Sequence, residues 1–118
     1  MLDTRRQFCF PMSKAFVFYF KGNLVTIEDE ETHNFIISEI DLAITSSSFV
    51  WIGGYRVSGV WTWRDGTTFK FTNWKSGQPD DYGGKEDCIL YSWNPPQWND
   101  LECEESHPYI CQYQAAIP

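Results

Sequence analysis

Gln78-Pro79-Asp80-Asp81-Tyr82-Gly83-Gly84-Lys85-Glu86-Asp87-Cys88 leads into a cysteine, and Trp98-Asn99-Asp100 and Cys103 follow. The first stretch gathers carboxylates and a side-chain amide around a proline and two glycines. The second adds an Asn-Asp pair at the far end of a segment that Cys88 and Cys103 would close as a hairpin. Hard oxygen donors grouped on a loop suit a calcium ion. No nucleophile, base and orienting residue accompany them, as covalent catalysis requires. His33 and His107 are the only histidines. His33 falls among polar neighbours on a predicted helix surface, and His107 in the turn-like run Glu104-Glu105-Ser106-His107-Pro108. The chain therefore reads as a binding module without catalytic residues.

The 118 residues make one domain on length. Most of the 6 Trp, 6 Tyr and 9 Phe are expected to fill its core. Charge is lopsided. Residues 1–22 carry Arg5, Arg6, Lys14 and Lys21 against Asp3, while the rest carries five Lys or Arg against fifteen Asp or Glu. Nucleic acid is a poor partner for such a surface, since phosphate binding needs a basic patch. None of the four cysteines is spaced as Cys-x-x-Cys. Cys88 with Cys103 would close a short loop, and Cys9 with Cys111 would tie the two ends together. Both bonds fit an oxidising, extracellular or secreted setting. A signal peptide is not evident. Arg5 and Arg6 precede the apolar stretch Phe8 to Phe20, but Pro11, Ser13 and Lys14 interrupt it and no small-residue cleavage site follows. The stretch is also too short and broken to span a bilayer.

Along the chain, residues 10–20 are apolar on every face, so a buried helix and a strand both remain open. Leu24 to Ile27 is a predicted strand. Thr26 is the expected cap of a helix from about Glu28 to Ala43, with Glu28, Asp29, Glu30 and Glu31 in its first turn and Phe35, Ile36 and Ile40 on its buried stripe. Phe49 to Ile52 and Gly59 to Trp63 read as strands, the latter with Trp61 and Trp63 on one face. Asp65-Gly66 is a turn, Thr67 to Trp74 is extended, and Lys75 to Lys85 is a long polar loop of the kind that carries function. Cys88 to Tyr91, Gln97-Trp98 and Tyr109 to Tyr113 are the last predicted strands.

From Gly22 onward the order of these marks resembles the C-type lectin-like domain. They are Gly22-Asn23-Leu24-Val25-Thr26-Ile27, Trp51-Ile52-Gly53, Trp61-Thr62-Trp63, Asp65-Gly66 and Phe71-Thr72-Asn73-Trp74, then Gln78-Pro79-Asp80, Glu86-Asp87-Cys88, Trp98-Asn99-Asp100, Cys103 and Pro108-Tyr109-Ile110-Cys111. The resemblance covers residues 22–112. It implies an α+β double-loop fold, with two helices, two small antiparallel sheets and a long ligand-binding loop over roughly residues 54–87. Trp51, Trp61 and Trp74 would seat that loop. Residues 22–113 would form the recognition domain, preceded by an atypical or truncated lobe at 1–21 and followed by a tail at 114–118. The family pairs its last cysteine with one in its first helix. Val17 holds that register here, and Cys9 lies eight residues earlier.

The resemblance also implies a site. Gln78, Asp80, Glu86, Asn99 and Asp100 match the five residues that hold one calcium in the family's sugar-binding members, with the bond before Pro79 cis and two sugar hydroxyls completing the coordination. Gln-Pro-Asp goes with galactose-like sugars, Glu-Pro-Asn with mannose-like ones. Tyr82 stands where galactose binders place an aromatic to stack on the sugar, and its alternative is to pack on Trp93 or lie exposed. Partners would be glycans or glycoproteins with terminal galactose or N-acetylgalactosamine, bound weakly and with avidity from a possible homo-oligomer, without nucleic acid or membrane insertion. A second calcium is not expected, because Gly54 to Gly59 holds no carboxylate and Arg56 would repel an ion. Asp81 is expected to face solvent or pair with Lys85, and Asp87 to serve loop structure. The rival reading is a protein-, lipid-, ice- or mineral-binding module on the same fold.

Overall fold

The computed structural model describes residues 6–9, 22–40, 49–93 and 95–114, apart from the side chains of Gln7, Cys9 and Gln114. Two antiparallel sheets organise them. Strands β1 (Arg6–Cys9), β7 (Cys111–Gln114) and β2 (Asn23–Leu24) form one sheet, with β7 in the middle. Strands β4 (Val60–Trp63), β3 (Val50–Val57), β5 (Cys88–Ser92) and β6 (Gln97–Leu101) form the other in that order. The sheets are joined where Gly53 N–H donates to the Val25 carbonyl at 2.8 Å. A Cβ on Gly53 would lie 2.6 Å from the Leu24 carbonyl oxygen, so this close approach admits only glycine.

The expected pair of helices is corrected to one. Helix α1 (Glu30–Glu39) is the only α-helix among the described residues. The candidate for another, residues 10–20, lies outside the described residues. The described helix is also shorter than predicted. Asp29, not Thr26, is the cap, accepting the Thr32 N–H at 2.7 Å. Thr26 lies outside the helix, and its N–H donates to Gln112 Oε1 at 2.9 Å. Ile40 turns to extended dihedrals and ends the helix. His33 is half-buried rather than on an open surface, with Nδ1 2.7 Å from Tyr91 Oη. Burial lowers its pKa.

Val25, Ile27, Ile36, Val50, Ile52, Ile89 and Ile110 line the core, and Trp63 and Trp98 are its largest fully buried side chains. Trp98 meets Trp63, Phe69, Phe71 and Trp74 edge-on at 5.5 to 6.0 Å, the arrangement that ring quadrupoles favour. The stretch Thr67 to Trp74, expected to be extended, makes only isolated bridges, Thr62 to Thr68 and Trp74 to Trp98. Its aromatic side chains are spent on Trp98 and Trp63 rather than on a ladder.

Cys88 and Cys103 form a disulfide with Cα atoms 5.2 Å apart. The β1–β7 register sets Cys9 opposite Cys111, and Cys111 is disulfide-bonded. Cys9 thus stands on a strand, eight residues before the helix register the resemblance implied, and the ladder accounts for its pairing position. Arg6, from the basic end of the chain, donates to Gln112 Oε1 at 3.0 Å and pairs with Glu28 at 2.7 Å, which ties β1 to its neighbours.

Candidate divalent-cation site

Trp98 fixes one wall of the site. It is fully buried in β6, and two residues on, Asp100 is fully buried as well. A charged group there needs partners. Asp100 Oδ1 accepts the Asp80 N–H at 3.2 Å, and Oδ2 accepts the Asp81 N–H at 2.8 Å. The opposing segment is pinned to the same strand. Trp98 N–H donates to the Asn73 carbonyl at 2.8 Å, Lys75 N–H to the Trp98 carbonyl at 2.9 Å, and Gln78 N–H to the Lys75 carbonyl at 2.8 Å. The Gln78–Pro79 bond is cis.

The loop then folds back on itself. Asp81 takes a left-handed conformation, φ 48°, and a short 3-10 turn covers Tyr82–Gly84. Gly83 and Gly84 both have positive φ, which glycine adopts without a Cβ penalty. Asp81 Oδ1 accepts the Glu86 N–H at 2.9 Å, and Glu86 Oε1 accepts the Tyr82 N–H at 3.0 Å.

This closure brings Asp80, Glu86 and Asp100 together, with one carboxylate oxygen of each within 4.8 Å of the others. Glu86 is only 8% exposed. Burial pushes its carboxyl pKa up, the Tyr82 N–H opposes the rise, and hydrogen bonding with Asp80 and the charges of Asp100 and Asp80 add to it. Gln78 Oε1 and Asn99 Oδ1 are buried oxygens without a hydrogen-bond partner. Native structures rarely leave such atoms unsatisfied. The donor set fits a hard divalent cation, for which carboxylate and amide oxygens are the ligands of choice. Of the five expected ligands, Asp80, Glu86 and Asp100 converge, and Gln78 and Asn99 each carry a buried oxygen without a partner.

Tyr82 is 80% exposed and does not pack on Trp93, which stacks on Tyr91 instead at 5.2 Å. Asp81 does not pair with Lys85 as one expectation had it. Its partner is Arg56, with Nη2 2.9 Å from Asp81 Oδ1. Arg56 Nε also donates to Asp87 Oδ1 at 3.1 Å. No local signal announces these contacts, because β3 and the loop are far apart in the chain. The histidines are engaged with other groups, His33 with Tyr91 and His107 with Glu105 at 3.0 Å.

The sequence matches the Lectin C-type domain over residues 6–113. The chain belongs to the C-type lectin domain family. These domains are non-catalytic binding modules. Among relatives of this C-type lectin domain, ladderlectin of Oncorhynchus mykiss is 30% identical over 110 residues, covering 91% of this chain and 57% of that protein. The galactose-specific lectin nattectin of Thalassophryne nattereri is 33% identical over 92 residues, covering 76% of this chain and 58% of that protein. The chain thus spans little more than half the length of these relatives. Among solved structures, a calcium-independent type II antifreeze protein superposes with a TM-score of 0.68 at 31% identity, covering 80% of this chain and 70% of that one. No helix among the described residues is long and apolar enough to cross a membrane.

Proposed function

We propose that this C-type lectin domain binds carbohydrate through one calcium ion and prefers galactose or N-acetylgalactosamine. The observation that carries the reading is the meeting of the Asp80, Glu86 and Asp100 carboxylates within 4.8 Å, supported by the buried, unpartnered oxygens Gln78 Oε1 and Asn99 Oδ1. Gln78, Asp80, Glu86, Asn99 and Asp100 would hold the ion. Calcium supplies a hard dication with room for further oxygen ligands, so vicinal sugar hydroxyls can join the shell. The chain's own groups do the rest. Carboxylates only accept hydrogen bonds and amides also donate, so Gln78 and Asp80 together set which hydroxyl arrangement is matched. Tyr82, exposed beside Glu86, offers its ring to the apolar face of the sugar.

Residues 22–113 would be the recognition domain, with 1–21 and 114–118 as its flanks. Its partners would be extracellular glycans or glycoproteins, and homo-oligomers would add avidity. The disulfide supports an extracellular or secreted setting. The likeness to an antifreeze protein favours a second reading, a module for ice or another non-sugar ligand.

The test is a calcium titration of the folded protein by calorimetry, followed by inhibition of glycan binding with free sugars. One site in the micromolar-to-millimolar range is expected. Saturation a hundredfold above Kd should add about 2.7 kcal/mol of stability. A flat titration at millimolar calcium removes the reading. Calcium binding with no glycan captured on an array, with or without chelator, would favour the non-sugar module.

A further inference from the structure

Arg56 lies behind the acidic cluster on β3, just past the irregularity in the β3–β5 register between Trp51 and Tyr55. Bulges of this kind re-aim side chains. Its backbone N–H donates to the Asp87 carbonyl at 2.8 Å. Its guanidinium spreads over three loop residues, with Nη2 2.9 Å from Asp81 Oδ1, Nη2 donating to the Glu86 carbonyl at 2.7 Å, and Nε donating to Asp87 Oδ1 at 3.1 Å. The face of the group rests on the Trp61 ring, 4.7 Å from its centre. The side chain is 20% exposed. A planar fork of donors makes such a set of bonds, and a lysine ammonium does not.

The bonds continue inward. Asp81 Oδ1, paired with Arg56, also accepts the Glu86 N–H at 2.9 Å. Glu86 is therefore held through its carbonyl by Arg56 directly and through its amide by way of Asp81. The Asp80, Glu86 and Asp100 carboxylates repel one another in the absence of a counter-charge, and the contacts of Arg56 oppose the opening this favours.

We propose that Arg56 is the positioning residue of this site: it holds the 80–87 segment in its ligand-ready form before any ion arrives, through its bonds to Asp81, Glu86 and Asp87. The inference rests on the cation-binding reading above. A second mode of action has the opposite sign. Acting only as a nearby positive charge, Arg56 would repel a dication, and its removal would tighten binding. Acting as a positioning residue, its removal weakens binding, about tenfold by analogy with other groups that orient metal ligands.

The experiment compares wild type, Arg56→Gln and Arg56→Lys by calcium calorimetry, and by limited proteolysis in chelator with chymotrypsin and trypsin, reading cleavage after Tyr82 and Lys85. Wild type should bind one calcium and resist cleavage in chelator. Arg56→Gln should be cut in chelator, regain protection at saturating calcium, and bind about tenfold more weakly. Arg56→Lys should resemble Arg56→Gln, since it keeps the charge and loses the fork. Equal or tighter calcium binding by Arg56→Gln, or protection equal to wild type in chelator, overturns the proposal. If Arg56→Gln misfolds, Asp87→Ala removes the acceptor of the Arg56 Nε bond and leaves the Arg56–Trp61 packing, and it should shift both readouts the same way. A wild type that takes up no calcium removes the proposed function, while the chelator digests still decide whether Arg56 holds the loop.

Discussion

At the scale of single residues, the site is a balance of charge against burial, and Glu86 carries most of it. Burial raises its pKa above the ordinary 4.5, with Asp80 and Asp100 adding to the rise. A carboxyl raised on folding contributes its stability fully below its unfolded pKa and loses it as pH rises through the folded one. Calcium needs the ionised form, so its stabilising effect should be large at neutral pH and shrink as pH falls through the range of Glu86. Melting curves with and without calcium, taken as a series from acid to neutral pH, will show this. Glu86→Gln should abolish most of the calcium shift at neutral pH, and in chelator it should melt no lower than wild type. A full calcium shift in Glu86→Gln would remove Glu86 from the ligand set. Sugar choice is decided at the same scale. Gln78→Glu with Asp80→Asn exchanges amide and carboxylate and should move inhibition from galactose toward mannose. Tyr82→Ala should weaken galactose inhibition far more than calcium uptake, because the ring is 80% exposed and only its backbone N–H touches Glu86. Stronger inhibition of wild type by mannose than by galactose would reject the specificity and leave the calcium site standing.

At the scale of elements, α1 depends on its cap. Asp29 accepts the Thr32 N–H, and hydrogen bonding from Thr32 holds its carboxyl below the ordinary 3.8. Its contribution is present above that unfolded value and lost as pH falls through the folded one. Asp29→Ala should cost about 1 kcal/mol, measurable by urea unfolding at neutral pH. The same change should matter less in strong acid, where the wild-type carboxyl is protonated. An unchanged midpoint at neutral pH would show that the burial of Thr32 and Ile36, not the cap, sets helix stability. Strand β6 shows how an element serves a site. Trp98 anchors it in an aromatic cluster, and the rigid strand delivers Asn99 and Asp100 to the loop.

At the scale of the whole molecule, the Cys88–Cys103 bond joins β5 to the segment after β6 and closes a loop of 15 residues in sequence separation. By chain entropy such a closure is worth about 3 kcal/mol. The Cys88→Ala, Cys103→Ala double variant should lose stability of that order in chelator. It should also bind calcium more weakly, because β5 and β6 flank the site. Denaturant curves of oxidised wild type and the double variant measure the first effect, and calorimetry the second. Retained stability would mean that the β5–β6 ladder alone, from Cys88 opposite Leu101 to Ser92 opposite Gln97, sets the hairpin.

The sequence by itself determined what is local. The oxygen donors of Gln78 to Glu86 and of Asn99-Asp100, the Cys88–Cys103 pair, and the turn glycines are legible because each depends on residues close in the chain. Gly53 was legible only as part of the Trp51-Ile52-Gly53 mark; its close approach to Leu24 and Val25 is a tertiary contact. Only the tertiary structure decided the rest. It chose Asp29 over Thr26 as the cap, since Thr26 is drawn into a bond with Gln112. It left one α-helix among the described residues. It placed Cys9 opposite Cys111 through a strand register that no spacing encodes. It brought Arg56, read as a group hostile to ions, against Asp81, Glu86 and Asp87. Asp81, with Arg56 and Lys85 both available in sequence, pairs with the guanidinium because the β3–β5 pairing brings it there and its fork can bond Asp81, Glu86 and Asp87 at once.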